Sequence, residues 1–141
     1  MKKINEIEFR QYELIVNSAN KVSEWRQATN KFYLTVNTAV LGITAYLYGT
    51  APATITVTSV MGILISILWH ENINYYRRLN EAKFKVIHEI EKKLPFAMFK
   101  KEYNYTQQMS KHSTSRIECW IPRLFIIAYV IALFPRIIAL L

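Results

Sequence analysis

Glycine, proline and cysteine are all scarce in this chain: three, four and one among 141 residues. One cysteine, Cys119, excludes an intrachain disulfide and leaves no Cys/His cluster with zinc spacing. Three glycines cannot supply a glycine-rich phosphate loop. His70-Glu71 and His88-x-x-Glu91 come nearest to a metal pair, but no HExxH completes either, and both suit ordinary interfacial or solvated helix positions. The serines and histidines form no triad-like arrangement. Composition therefore points away from an enzyme: no catalytic residue, no cofactor site and no metal site is expected. The most telling absence is charge. From Phe32 to Trp69, thirty-eight consecutive residues carry none.

A single helix of that length, at ~1.5 Å per residue, would be nearly twice as long as the ~30 Å hydrocarbon core of a bilayer. The sequence Tyr48-Gly49-Thr50-Ala51-Pro52 resolves the excess, since Gly permits a tight turn and Pro cannot continue a helix. The stretch 32–69 thus predicts a transmembrane helical hairpin with spans at about 32–48 and 54–69. Lipid offers no water to the backbone, so each span must satisfy its own amides as a helix. The β-branched run Thr54–Val60 would suit a strand in water, but its length and flanks overrule that reading.

What is present is basic charge, +8 net, and its placement is uneven. Residues 1–31 carry six Lys/Arg against four Glu, residues 70–123 carry eleven against six, and the Gly49–Ala53 loop carries none. Lys and Arg mark the cytoplasmic side of short membrane loops. The N-terminus and the 70–120 region are therefore expected in the cytoplasm and the loop outside, with the chain crossing the membrane more than once. The basic blocks suit anionic lipid headgroups. No nucleic acid partner is expected, because no basic run is interleaved with a binding motif.

In chain order, residues 1–31 predict an amphipathic cytoplasmic helix through Ile4, Ile7, Tyr12, Ile15, Ala19, Val22 and Trp25, free to run straight into the first span. Trp69, Arg77 and Arg78 suit the headgroup boundary as interfacial lipid contacts. Residues 72–94 predict a helix with Leu79, Ala82, Val86, Ile87, Ile90 and Leu94 on its apolar side, ended by Pro95. Its lysines, Lys83, Lys85, Lys92 and Lys93, form a solvated face balanced by Glu81, Glu89 and Glu91. Residues 95–116 predict a loop or short helices. Residues 121–141 form a third apolar span, with Pro122 at its start and Arg136 close enough to the end to snorkel. The fold class is an all-α membrane protein: a hairpin, a third C-terminal span and amphipathic cytoplasmic helices.

Two faces of the hairpin stand out. Small residues Thr35, Thr38, Gly42, Ala45 and Gly49 align on one side of the first span, and Ser59, Gly62 and Ser66 on the second. Small faces allow close helix approach, so Gly42, Ala45, Gly62 and Ser66 are candidates for helix packing that zips the hairpin together. A second stripe, Asn30, Asn37 and Thr44, carries amides and a hydroxyl into the apolar stretch. Unpaired amides are costly there, so these residues are expected to be buried polar glue or to face a pore.

Three segments carry a family resemblance. The run Arg26–Ala39 resembles the start of the first membrane helix in the RipA-like octameric membrane proteins of bacteria. The run Tyr76–Pro95 resembles the signature after their second helix, and Ile117–Phe125 the entry into the last. This resemblance implies a small inner-membrane protein that self-associates as an octamer and has no established reaction. The SLATT-type effectors of bacterial conflict systems share the hairpin and flanking helices, without a comparably long matching run. Two function classes follow: a homo-oligomeric scaffold or pore-like assembly, or a membrane effector triggered by a ligand or partner.

Overall fold

The computed structural model describes residues 6–49, 51–109 and 114–138. Its described residues form four helices and no strand: α1 (Glu6–Tyr46), α2 (Pro52–Glu91), α3 (Met98–Met109) and α4 (Thr114–Ile138). They group into two compact units. A polar unit comprises Met1–Arg26 and Tyr75–Thr114, and an apolar unit comprises Gln27–Asn74 and Ser115–Leu141.

The N-terminal amphipathic stretch and the first half of the hairpin form one unbroken helix, because nothing between Glu6 and Tyr46 disfavours helical dihedrals. In the polar unit Tyr12, Ala19 and Ile87 make the core, with Ile15, Val16, Phe84, Ile90, Leu94 and Phe99 packed against it. Ile7 and Trp25, expected on the apolar side, are 63% and 55% exposed. Each lies about 120° round the helix from Ala19, so neither can share its face. Ile4 lies outside the described residues. Ala82 and Val86 likewise face outward, while Ile87 is fully buried.

The second helix ends at Glu91, earlier than the expected Leu94. The amides of Lys93 and Leu94 close its last turn onto the carbonyls of Ile90 and Glu91, and Pro95 cannot extend it. Beyond Pro95 the 95–116 region contains a twelve-residue helix, α3. Its entry, Pro95-Phe96-Ala97-Met98, has no Ser, Thr, Asp or Asn to cap it. Glu91 supplies the cap instead: its Oε1 accepts the Phe99 amide at 2.8 Å and its Oε2 the Lys100 amide at 3.0 Å. Glu91 was expected on a solvated face, but it is 1% exposed. Burial is acceptable here because the carboxylate meets the positive end of a helix and two backbone donors. A third donor, the Tyr12 hydroxyl, approaches Oε1 at 3.3 Å. Burial pushes the Tyr12 pKa up, and the Glu91 charge beside it adds to the shift.

In the apolar unit, Gly49 takes a φ of +90°, a conformation that costs glycine alone little. Pro52 occupies the first position of α2, where its missing amide donor costs nothing. Two of the described helices are long and apolar enough to cross a membrane, α2 and residues 117–135 of α4, with mean hydropathies of 1.7 and 1.9. α1 is not among them: only fifteen residues, Phe32–Tyr46, lie between Lys31 and the end of the helix. α4 also differs from expectation at its start. It begins at Thr114, so Pro122 falls inside the helix, where it is buried and withholds one amide. The side chain of Arg136 lies outside the described residues.

Candidate functional site

The apolar unit is held by a ladder of polar contacts that steps down from the Gly49–Pro52 turn. Nearest the turn, Thr44 and Thr58 meet hydroxyl to hydroxyl at 2.9 Å, and Thr58 reaches the Thr54 carbonyl at 3.0 Å. One level down, Ser66 Oγ lies 2.7 Å from Asn37 Oδ1 and 2.8 Å from the Gly62 carbonyl. Below that, the Trp69 indole N–H donates to Asn30 Oδ1 at 2.9 Å, and the Asn72 amide donates to the Tyr33 hydroxyl at 2.9 Å. Cys119 Sγ sits 4.0 Å from Asn74 Oδ1.

Asn37 is the hub. Its amide donates to the Tyr33 carbonyl at 3.0 Å, its side-chain oxygen faces Ser66, and its backbone carbonyl accepts the Tyr129 hydroxyl at 2.9 Å. Three helices, α1, α2 and α4, therefore converge on one residue that is completely buried. Such bonds are strong in a low-dielectric interior and costly to leave half-made. Changing Asn37 to Leu removes the contact with Ser66, leaving that hydroxyl its Gly62 carbonyl, and is expected to lower stability by about 1 kcal/mol, the scale of interhelical polar contacts in membranes. Thermal unfolding in detergent measures it, and an unchanged midpoint would show the hub to be dispensable.

The sequence-derived candidates separate cleanly. Asn37 and Thr44 are buried inside one chain and Asn30 is half-buried, each with a partner from α2. Gly62 and Ser66 are buried on α2, and the Tyr129 ring lies so close that a Cβ on Gly62 would overlap its Cζ, Cε1 and Cε2 atoms. Gly42 and Ala45 do not join them. Both are exposed, and a Cβ on Gly42 would meet nothing within 4 Å. The expectation that the two small faces zip the hairpin is corrected here. Helix α1 meets α2 through its Asn/Thr stripe, and Gly42 points about 140° away from Asn37.

Trp69 is a second correction. Expected at the lipid headgroups, it is 1% exposed, stacked on Tyr33 with ring centroids 6.1 Å apart and tilted against Phe125 at 6.0 Å. Its N–H found an acceptor in the half-buried Asn30, so the ring is held inside. Arg77 and Arg78, in the polar unit, are exposed, and Arg77 pairs with Glu81 at 3.3 Å. Tyr129, which the sequence reading passed over, could have been found by the logic applied to Asn37: a phenol deep in an apolar helix needs an acceptor.

The arrangement is one of packing and self-satisfaction, with Asn30, Asn37, Thr44, Thr58, Ser66 and Tyr129 turned toward partners within the same chain. No curated protein and no solved structure matches the chain. A family model, that of the octameric membrane protein family (8xMP), matches residues 9–138, spanning all four helices. The chain belongs to the octameric membrane protein family.

Proposed function

We propose that the chain is a building block of a homo-octameric scaffold in the bacterial inner membrane. Each protomer crosses three times, through residues 32–48, 54–69 and the apolar part of α4. The N-terminus and the 70–120 region lie in the cytoplasm, and the Gly49–Ala53 loop lies outside. The observation that carries this reading is the open small-residue face of α1. Thr35, Thr38, Gly42 and Ala45 are all exposed, while the polar stripe of the same helix is occupied by α2. A face of that kind in lipid suits close approach of a second helix, and identical subunits commonly close into rings. Eight copies follow from the family's name. A scaffold is favoured over a pore because Asn37 and Thr44, the candidates for lining a path, are bonded inside the protomer. No chemical reaction is assigned to it.

Native mass spectrometry of protein in lipid nanodiscs is expected to give eight chains. Particles of one or two chains would refute the assembly. A reporter fused after Tyr12 should read as cytoplasmic and a tag in the Gly49–Ala53 loop as external; a cytoplasmic loop would overturn the topology.

A further inference from the structure

The polar unit carries an open groove beside its core that the assembly reading does not use. It has a volume of about 360 Å³ and is lined by Phe9, Tyr12, Leu94, Phe96, Met98 and Lys101, among others. Its walls are hydrocarbon and aromatic ring, and Lys101 is the only charged residue among those lining it. Phe96 and Met98 are 70% and 62% exposed, although neither is needed to complete the core around Tyr12, Ala19 and Ile87. The size sits at the lower end of the ~300–1,000 Å³ typical of small-ligand sites, too small to seat a helix. The complementary occupant is a single apolar chain with one negative head.

We propose that this groove binds a medium-chain fatty acid, its hydrocarbon along Phe9, Leu94, Phe96 and Met98 and its carboxylate at the Lys101 ammonium. The carboxylate is ionised at neutral pH and the ammonium is charged, so the pair fixes the direction in which the chain lies. The inference concerns the polar unit alone and does not depend on the copy number.

The test uses the full chain in phosphatidylcholine nanodiscs, with the methionine methyl groups labelled for NMR. On addition of laurate at pH 7.5, the Met98 methyl resonance should shift saturably, while that of Met61 in the apolar unit should not. Dodecanol should bind more weakly, and dodecyltrimethylammonium should not shift Met98. Lys101→Glu should raise the half-saturating laurate concentration roughly tenfold, about 1.4 kcal/mol. Phe96→Ser should weaken laurate and dodecanol alike. Both side chains are exposed, so both variants should fold. A Met98 resonance that does not respond, that responds only in proportion to laurate partitioned in the lipid, or that responds equally to all three compounds would overturn the proposal. So would Met98→Cys chains that cross-link to one another through the groove.

Discussion

Leucine at Gly62 is expected to lower thermal stability more than any other single change in the apolar unit. Even alanine should do much of this damage, because its Cβ would overlap the hydroxyl end of the Tyr129 ring. The ring cannot swing aside freely, since its hydroxyl is tied to the Asn37 carbonyl and its residue is fully buried. Overpacking of this kind costs roughly 1–3 kcal/mol and sometimes more, and the lost hydrogen bond adds to it. Tyr129→Ala should rescue Gly62→Ala, a coupling that only direct contact predicts. Leucine at Gly42 should behave in the opposite way. With open space around it, the dissociated protomer should keep its unfolding midpoint while the assembly loses copies. Equal midpoint losses for the two leucine variants in dissociated protein, or none for Gly62→Ala, would sink this division of roles.

Removing the Glu91 carboxylate should release α3. In Glu91→Ala the amides of Phe99 and Lys100 lose their acceptor, and hydrogen bonds to a charged group are worth about 1.5–3 kcal/mol each. Hydrogen exchange across residues 98–109 should speed at least tenfold, while residues 55–69 of α2 stay protected. Tyr12→Phe removes the third contact and should have a smaller effect. The raised Tyr12 pKa sets a direction with pH: its contribution is full below about pH 10, the ordinary tyrosine value, and is lost as pH climbs through the raised one. Unchanged exchange in Glu91→Ala would mean that α3 holds itself against the core through Phe99 alone.

Much of the all-helical layout was legible because long-range demands left local marks. The charge-free stretch, the Gly49–Pro52 turn and the family signature after the second helix each occupy contiguous residues. The hairpin register was legible too, though unread: folding the chain at Gly49–Pro52 places Asn37 near Ser66 and Thr44 near Thr58. The cap on α3 was not legible. Its acceptor lies eight residues before the amide it serves, beyond a proline, and Glu91 looks like any other solvated carboxylate in a charged helix. Trp69 was misplaced for a related reason. An aromatic at the edge of an apolar run suits a headgroup equally well, and only the pairing with Asn30 decides otherwise.

The hydroxyls of the apolar unit bear on how such a chain is made. Thr35, Thr38, Thr44, Thr56, Thr58 and Ser66 each lie within hydrogen-bonding distance of a carbonyl four residues back in their own helix, and the amides of Asn37 and Asn72 do the same. A side chain served this way does not depend on a neighbour for its bond while its helix stands alone in hydrocarbon. Each segment could leave the insertion machinery singly, already satisfied, and find its partner later by exchanging one bond for another. Ser59 departs from this pattern: fully buried, its hydroxyl has no partner among the described residues. The polarity that Asn37 and the threonines bring to the second half of α1 is, on this account, largely hidden before the bilayer meets it.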